Sequence, residues 1–395
     1  MKVVIAHNRY SSAQPSGENV MVDEEISQLS AAGVTVVPFL RSSDEIEHMS
    51  PAGRALLPLS PIWAPGTQRE LRELLARERP DVFHLHNPYP LLSPWVVRTA
   101  HDAGVPVVQT IHNYRHVCLA ATFLRDGKIC RDCVGKRVAT PGIRYACYRG
   151  SRAQSTIMAT TLAVHRGTWH SVDRFVALTD GIADYLREYG IPSERIIIKP
   201  NAVSDPGPPP DTPGSGALFI GRLSAEKGLE LLLSAWQRHP YGLLGQLRII
   251  GDGPQRDLAS AAAASRTDVE YIGGTDNAGV QRAIRAAALV IVPSTWEDVL
   301  PTVIIEALAN GRPVLGTDLG GIPYLVGART DEPAGWVVEP TAEALAAALP
   351  TAMADAPSRG AAARARYLST FSPAVVLDRL IDVYAQLGHG EAVKS

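Results

Sequence analysis

The stretch Phe219-Ile220-Gly221-Arg222-Leu223-Ser224-Ala225-Glu226-Lys227-Gly228 ends an apolar run on a glycine, sets two cations five residues apart and leads into a helical segment at 229–236. A strand that gives way to a helix within a few residues is the repeating unit of a parallel α/β sheet. The same unit recurs on both sides of this stretch. Short apolar runs at 3–6, 34–39, 82–85, 107–111, 175–178 and 196–198 precede it, and the alternation resumes at 218–220, 247–250, 269–272, 289–292 and 313–316. These runs are apolar throughout rather than alternating, as parallel strands covered on both faces require. Helical segments separate them, one at 180–189 with Asp180 as its cap and Gly190 as its stop. The expected fold is α/β, built from doubly wound, Rossmann-like sheets.

Residues 204–216, Ser-Asp-Pro-Gly-Pro-Pro-Pro-Asp-Thr-Pro-Gly-Ser-Gly, hold five prolines and three glycines in thirteen positions. Such a run makes neither helix nor strand and reads as a linker stiffened by proline. It divides the 395 residues into an N-terminal domain at 1–203 and a C-terminal domain at 217–372, followed by an amphipathic helical segment at 373–395. In such a pair the active site is expected between the domains, at the carboxyl ends of the strands.

The 38 Lys and Arg nearly balance 40 Asp and Glu, for a net charge of −2, which argues against a nucleic-acid partner. No apolar run reaches the ~18 residues that span a bilayer, and the N-terminus turns polar too soon for a secretory signal. The expected location is the cytoplasm, with attachment to a membrane surface left open.

Two segments carry the chemistry. In the first, Gly221 lets the backbone turn while Arg222 and Lys227 stand ready for an anion beside a helix start. The second is Pro293-Ser294-Thr295-Trp296-Glu297-Asp298-Val299-Leu300-Pro301-Thr302-Val303-Ile304-Ile305-Glu306, which follows the strand at 289–292. Pro301 suits the first position of a helix, which puts Glu306 about one turn inside and Asp298 in the loop before it. Carboxylates accept from sugar hydroxyls and helix N–H groups bind anionic oxygens.

These two segments, with Gly251-Asp252-Gly253-Pro254 between them, resemble the family 4 retaining glycosyltransferases of GT-B fold, the group 1 type. The resemblance covers nearly the whole chain. It implies two Rossmann-like domains facing across a cleft, with the closing helix returning to the first domain. It implies that Arg222 and Lys227 hold the diphosphate of a nucleotide-sugar donor, and that Glu306 is the second acid of the E-x7-E motif, which binds the ribose. Seven intervening residues lead back to Asp298, so the first acid, expected on the donor sugar, is an Asp here; Glu297 is the second choice. Gly253 and the Ile272-Gly273-Gly274 turn are expected near the nucleotide, with Ile272 by the base and Val299 and Leu300 lining the donor site.

On the acceptor side, Pro15-Ser16-Gly17-Glu18-Asn19 resembles the family's glycine loop, where Gly17 permits close backbone approach. His112 ends the strand at 107–111, and its match in the family contacts the donor sugar. His86 and Asn87 are placed facing the cleft, and His84 in the core. Four cysteines, Cys118, Cys130, Cys133 and Cys147, lie in an excursion at 113–155. One C-x2-C knuckle among four clustered thiols reads as a closed structural zinc site, with free or reversibly oxidised thiols as the other reading. From Lys136 to Arg174 seven cations face a single acid, a solvated face or a patch for an anionic acceptor or membrane surface. Arg149 and Arg152 are the favoured acceptor residues.

No D-x-D pair occurs, so catalysis is expected to need no cofactor, with Arg222, Lys227 and the helix start in place of a divalent cation. The expected function is retaining transfer of a sugar from a nucleotide-diphosphate sugar to a hydroxyl acceptor. A sugar-nucleotide epimerase of the same fold and a catalytically silent binding subunit are the alternatives; the intact Gly-Arg-x4-Lys speaks against both. A Rossmann dehydrogenase would need a third glycine after Gly251-x-Gly253.

Overall fold

The computed structural model describes residues 1–13 and 16–388. In chain order its strands are β1 (Lys2–Arg9), β2 (Thr35–Ser42), β3 (Val82–Leu85), β4 (Val107–Ile111), β5 (Leu124–Arg125), β6 (Lys128–Ile129), β7 (Arg174–Ala177), β8 (Ile196–Ile198), β9 (Ala217–Ile220), β10 (Leu247–Ile250), β11 (Val269–Gly273), β12 (Leu289–Val292), β13 (Val314–Thr317) and β14 (Gly335–Val338). Each strand expected from the sequence is present. The short antiparallel hairpin β5–β6 and the last strand, β14, are additions.

The chain divides into two compact units. The first holds Met1–Phe123, Cys130–Lys199 and the segment from Val376; the second holds Leu124–Ile129 and Pro200–Val375. The first sheet runs β2-β1-β3-β4-β7-β8 and the second β11-β10-β9-β12-β13-β14. All neighbours within each are parallel. Counted within its own sheet, the second order is 3-2-1-4-5-6, and it reverses between β9 and β12. Open parallel sheets bind ligands beyond the carboxyl ends of the strands at such a reversal. Both chemistry-bearing segments begin there, one after β9 and one after β12.

The cores follow from strands closed off on both faces. Val3, Val4, Ile5 and Ala6 of β1 and all of β12 are buried. The closing helix, Pro373–Gly388, buries Val376, Leu380, Val383 and Tyr384 at helical spacing. It shares a cluster with Val3, Ile5, Val22 and Leu29 of the first unit.

The proline-rich run differs from expectation. Residues 204–216 are irregular, yet they belong to the second unit, whose boundary falls after Lys199 rather than after 203. Proline-rich backbone leaves carbonyls without a ladder, and arginines of the second unit supply their donors. Arg285 donates to the Pro208 carbonyl, Arg312 to that of Thr212, and Arg364 pairs with Asp205 at 2.7 Å. A Cβ on Gly214 would run into the Ala287 carbonyl. The segment is laced down instead of swinging free.

Candidate active site

At the β9/β12 reversal the second unit opens a recess lined by Gly221, Arg222, Lys227, Ser294, Thr302 and Glu306 among others. Gly221 ends β9, and exposed Arg222 follows with no partner among the described residues. Lys227 closes a single 3-10 turn, Ala225–Lys227, and Gly228 starts the helix Leu229–Trp236 at φ +77. A side chain there would meet the Pro293 carbonyl. The loop after β9 is thereby zipped onto the loop after β12: Thr295 N–H donates to the Glu226 carbonyl at 2.9 Å and its hydroxyl to that of Ala225 at 3.2 Å.

This zipper brings Lys227 Nζ to 2.5 Å from Asp298 Oδ2 and 5.7 Å from the Trp296 ring centre. Asp298 is buried in its loop. Gly320, at φ +56, lies so close to the Glu297–Asp298 backbone that a Cβ would collide with it, and Gly321 N–H donates to the Asp298 carbonyl at 2.7 Å. Glu306 lies on the helix Thr302–Ala309, its Oε2 3.4 Å from Gln281 Nε2. Pro301 caps this helix rather than opening it. The recess therefore unites Gly221, Arg222, Lys227 and Glu306, with Asp298 reached through Lys227. Glu297 and Leu300 are half-buried beside buried Val299, outside the lining of the recess.

Gly253 and Ile272 lie outside that lining as well. Gly253 packs on the Leu223 backbone and Gly251 on the Gly221 carbonyl, positions where a Cβ would clash. These glycines brace the cation loop from behind: Leu223 N–H donates to the Asp252 carbonyl and Gln255 N–H to that of Leu223. Ile272, 48% exposed at the end of β11, presents an apolar surface.

In the first unit, His112 follows β4 and borders a recess together with Glu18, His86, Asn87, Arg115 and Trp169. Its Nε2 lies 2.9 Å from His86 Nδ1. Burial first, then the crowding of the His86 and His7 rings around it, holds the His112 ring well below the usual histidine range. His84 is a satisfied core residue, 2.6 Å from the Tyr384 hydroxyl and 2.8 Å from that of Thr110. Asn87, expected to meet the acceptor, spends its side chain inside the protein. It donates to the Asn8 carbonyl at 3.1 Å and accepts from Tyr89 N–H at 3.0 Å, tying the loop after β3 to β1. These bonds fix the amide at the edge of the recess, which Asn87 helps to line.

Gly17 is the first residue of the helix Gly17–Ala31, exposed, with open space where a side chain would stand; Pro15, two residues before it, lies outside the described residues. Two acids on this helix escape a reading by motif. Burial pushes the Glu18 carboxyl up to about 7, against the opposing hydrogen bond from the Tyr10 hydroxyl and the charge of Arg115. Burial would raise Glu25 too, but Lys199, 2.5 Å away, and His86 hold it well below the carboxylate range. Glu18 and Glu25 fall in step with buried Val22 and Leu29 at spacings of four and three. Carboxylates on the apolar stripe of a helix were the available signal.

The four cysteines are half-buried. Gly142 ties two of them together. Its N–H bonds to Cys133, its carbonyl accepts from Cys147 N–H at 2.9 Å, and it packs on Leu119, next to Cys118. Burial, then the neighbouring Cys118, Cys147 and Cys130, raises the Cys133 thiol. Among the described residues, three potential metal-ligand atoms come within 4.8 Å of one another at Glu25, His84 and His86; the thiols form no group that tight. Arg149 and Arg152 are exposed, Arg149 over the Tyr148 ring at 5.4 Å. No helix among the described residues is long and apolar enough to cross a membrane.

Two parallel doubly wound sheets, one carrying a cation loop at its strand reversal, define a two-domain α/β protein of the GT-B type, a glycosyltransferase. The sequence matches the model of the glycosyl transferase 4-like domain over residues 16–202 and that of the glycosyl transferases group 1 over residues 214–355. The chain belongs to the family 4 glycosyltransferases. It is 26% identical over 337 residues to a phosphatidyl-myo-inositol mannosyltransferase of Mycobacterium leprae, covering 78% of this chain and 77% of that one. Its fold is similar to that of sucrose-phosphate synthase from Thermosynechococcus elongatus, with a TM-score of 0.69 at 22% identity over 98% of both chains. It is also similar to the Anabaena protein HepE in complex with UDP, with a TM-score of 0.66 at 15% identity over 98% of this chain and 100% of that one.

Proposed function

We propose that this glycosyltransferase moves a sugar from a nucleotide-diphosphate sugar to an acceptor hydroxyl with retention of anomeric configuration, using the chain's own cations to hold the diphosphate. The observation that carries this is the meeting of exposed Arg222, Asp298-paired Lys227 and the start of the helix Thr302–Ala309 at one recess. The UDP in the complex of the structurally similar Anabaena protein agrees with a nucleotide donor.

Negative charge develops on the leaving diphosphate as the sugar–oxygen bond breaks. Guanidinium, ammonium and backbone N–H groups already in place stabilise that charge without reorganising. Glu306 accepts from the ribose hydroxyls, and Asp298, with Glu297 beside it, from hydroxyls of the sugar. The acceptor hydroxyl attacks from the face that the diphosphate leaves and passes its proton to the leaving phosphate. His112 orients the sugar, and Gly17 and Ile272 border the donor at its phosphate and base ends.

The acceptor carries negative charge in this reading. Exposed Arg149 and Arg152, and the recess lined by Lys136, Arg137 and Arg166, present cations over the excursion. Reaction at an anionic membrane surface in the cytoplasm fits that charge and the lipid acceptor named for the mycobacterial relative. The test is a thermal-shift screen of UDP-, GDP-, ADP- and dTDP-sugars, followed by the anomeric configuration of the product by NMR. One stabilising donor and a retained anomer are expected. An inverted anomer defeats the retaining mechanism, and conversion of the donor without acceptor would make the protein an epimerase.

A further inference from the structure

The ring of His112 is held from behind by a chain of buried groups that the transfer itself does not use. Glu25, on the helix Gly17–Ala31, places Oε2 2.5 Å from Nζ of Lys199, which is 2% exposed. Its other oxygen, Oε1, lies 3.2 Å from His86 Nε2 and 3.4 Å from His84 Nδ1. His84 is already committed to the Tyr384 and Thr110 hydroxyls on its two nitrogens. Glu25 Oε1 and His86 Nε2 are both buried and neither has a hydrogen-bond partner among the described residues, and with both His84 nitrogens engaged the two face each other at 3.2 Å, a contact rather than an ideally aligned bond.

The proton positions follow from donor chemistry. An ionised carboxylate only accepts, so His86 carries its proton on Nε2. A neutral imidazole then offers Nδ1 as an acceptor. His86 Nδ1 is 2.9 Å from His112 Nε2, so His112 donates from Nε2. Its Nδ1 has no partner among the described residues, and the ring borders the recess.

We propose that Glu25 and His86 form a positioning relay that fixes His112 as the Nε2–H tautomer and presents its bare Nδ1 to the recess, where it accepts a hydrogen bond from a sugar hydroxyl. Only the identity of the group that meets Nδ1 rests on the glycosyl-transfer reading. A metal ion is a poorer occupant of the Glu25, His84 and His86 trio, since the Lys199 ammonium already supplies the positive charge and both His84 nitrogens are bonded. Outer partners of this kind fix the tautomer and aim of a working imidazole.

The experiment is nitrogen-15 NMR of the histidine-labelled full chain above the ordinary histidine range, with His112→Gln identifying the signal. The expected wild-type spectrum has His112 protonated on Nε2. His86→Gln, whose amide can accept from His112 and donate to Glu25, should keep both tautomer and turnover. His86→Leu should give a tautomer mixture and lower kcat about 10- to 100-fold with the donor KM little changed. A wild-type His112 protonated on Nδ1, or an unaltered tautomer in a folded His86→Leu, overturns the relay. The wild-type spectrum decides this even if His86→Leu fails to fold. A tautomer switch with unchanged turnover supports the relay and instead removes His112 from glycosyl transfer.

Discussion

Lys227 Nζ sits 2.5 Å from Asp298 Oδ2, so the lysine and the loop carboxylate are each other's counterion before any donor arrives. They lie 71 residues apart in sequence and meet because Gly228 lets the loop after β9 approach the Pro293 carbonyl of the loop after β12, while Gly320, in the loop after β13, packs against the Asp298 backbone. A diphosphate would have to share Lys227 with Asp298. Asp298→Asn removes that competition. Affinity for the free nucleoside diphosphate should hold or rise while turnover on the intact donor falls about 10-fold or more. Calorimetry beside initial rates checks this; equal losses in both would show that Asp298 does not touch the sugar.

Glu18 gives a pH signature. Its folded value of about 7 lies above the ordinary carboxylate value of 4.5. Below the ordinary value both folded and unfolded chains bind the proton and the site costs nothing. As pH rises between the two values the unfolded chain ionises first, and stability falls until the folded group also ionises. Above about 7 the cost is full, of order 3 kcal/mol at most for a shift of this size. Glu18→Gln should therefore raise the melting temperature at alkaline pH, and the gain should vanish in acid. A gain independent of pH would contradict the burial of this carboxylate.

Gly228 and Gly17 make a matched pair of substitutions. Gly228→Ala forces a side chain into left-handed backbone and against the Pro293 carbonyl, a loss of about 2–5 kcal/mol. Gly17→Ala meets open space and should cost less than about 0.5 kcal/mol. Urea unfolding separates them. If Gly17→Ala keeps its stability yet loses turnover, a ligand approaches the backbone at that point.

We propose that the four thiols close on one structural zinc. Cys133 already feels the other three and Gly142 holds Cys133 and Cys147 together, but the sulfurs must draw closer to complete a tetrahedral site. Elemental analysis of protein purified without chelator should give one zinc per chain, and Cys133→Ser should lose it. A metal-free, stable wild type would leave four free thiols.

The sheets were legible because strands buried on both faces read as continuous apolar runs, as in residues 3–6 and 289–292. β14 escaped because Gly335-Trp336-Val337-Val338 is short and begins on glycine. Arg222, Lys227 and Glu306 could be read locally, since a strand, a turn and a helix start fix them within a few residues. What they pair with could not. The counterion of Lys227, the docking of residues 204–216 by Arg285, Arg312 and Arg364, and the neutralisation of Glu25 by Lys199, 174 residues away, are long-range choices made by packing. Pro301 shows the local limit: proline tolerates the cap as readily as the first turn, and the sequence does not distinguish one residue from the next.

The most direct measurement is calorimetric titration of the donor's nucleoside diphosphate and of the matching monophosphate into wild type, Arg222→Ala and Lys227→Ala. If these two cations hold the diphosphate, each substitution should weaken the diphosphate by about 1.5–3 kcal/mol and leave the monophosphate far less affected. Diphosphate binding at wild-type strength in both folded variants would contradict the account.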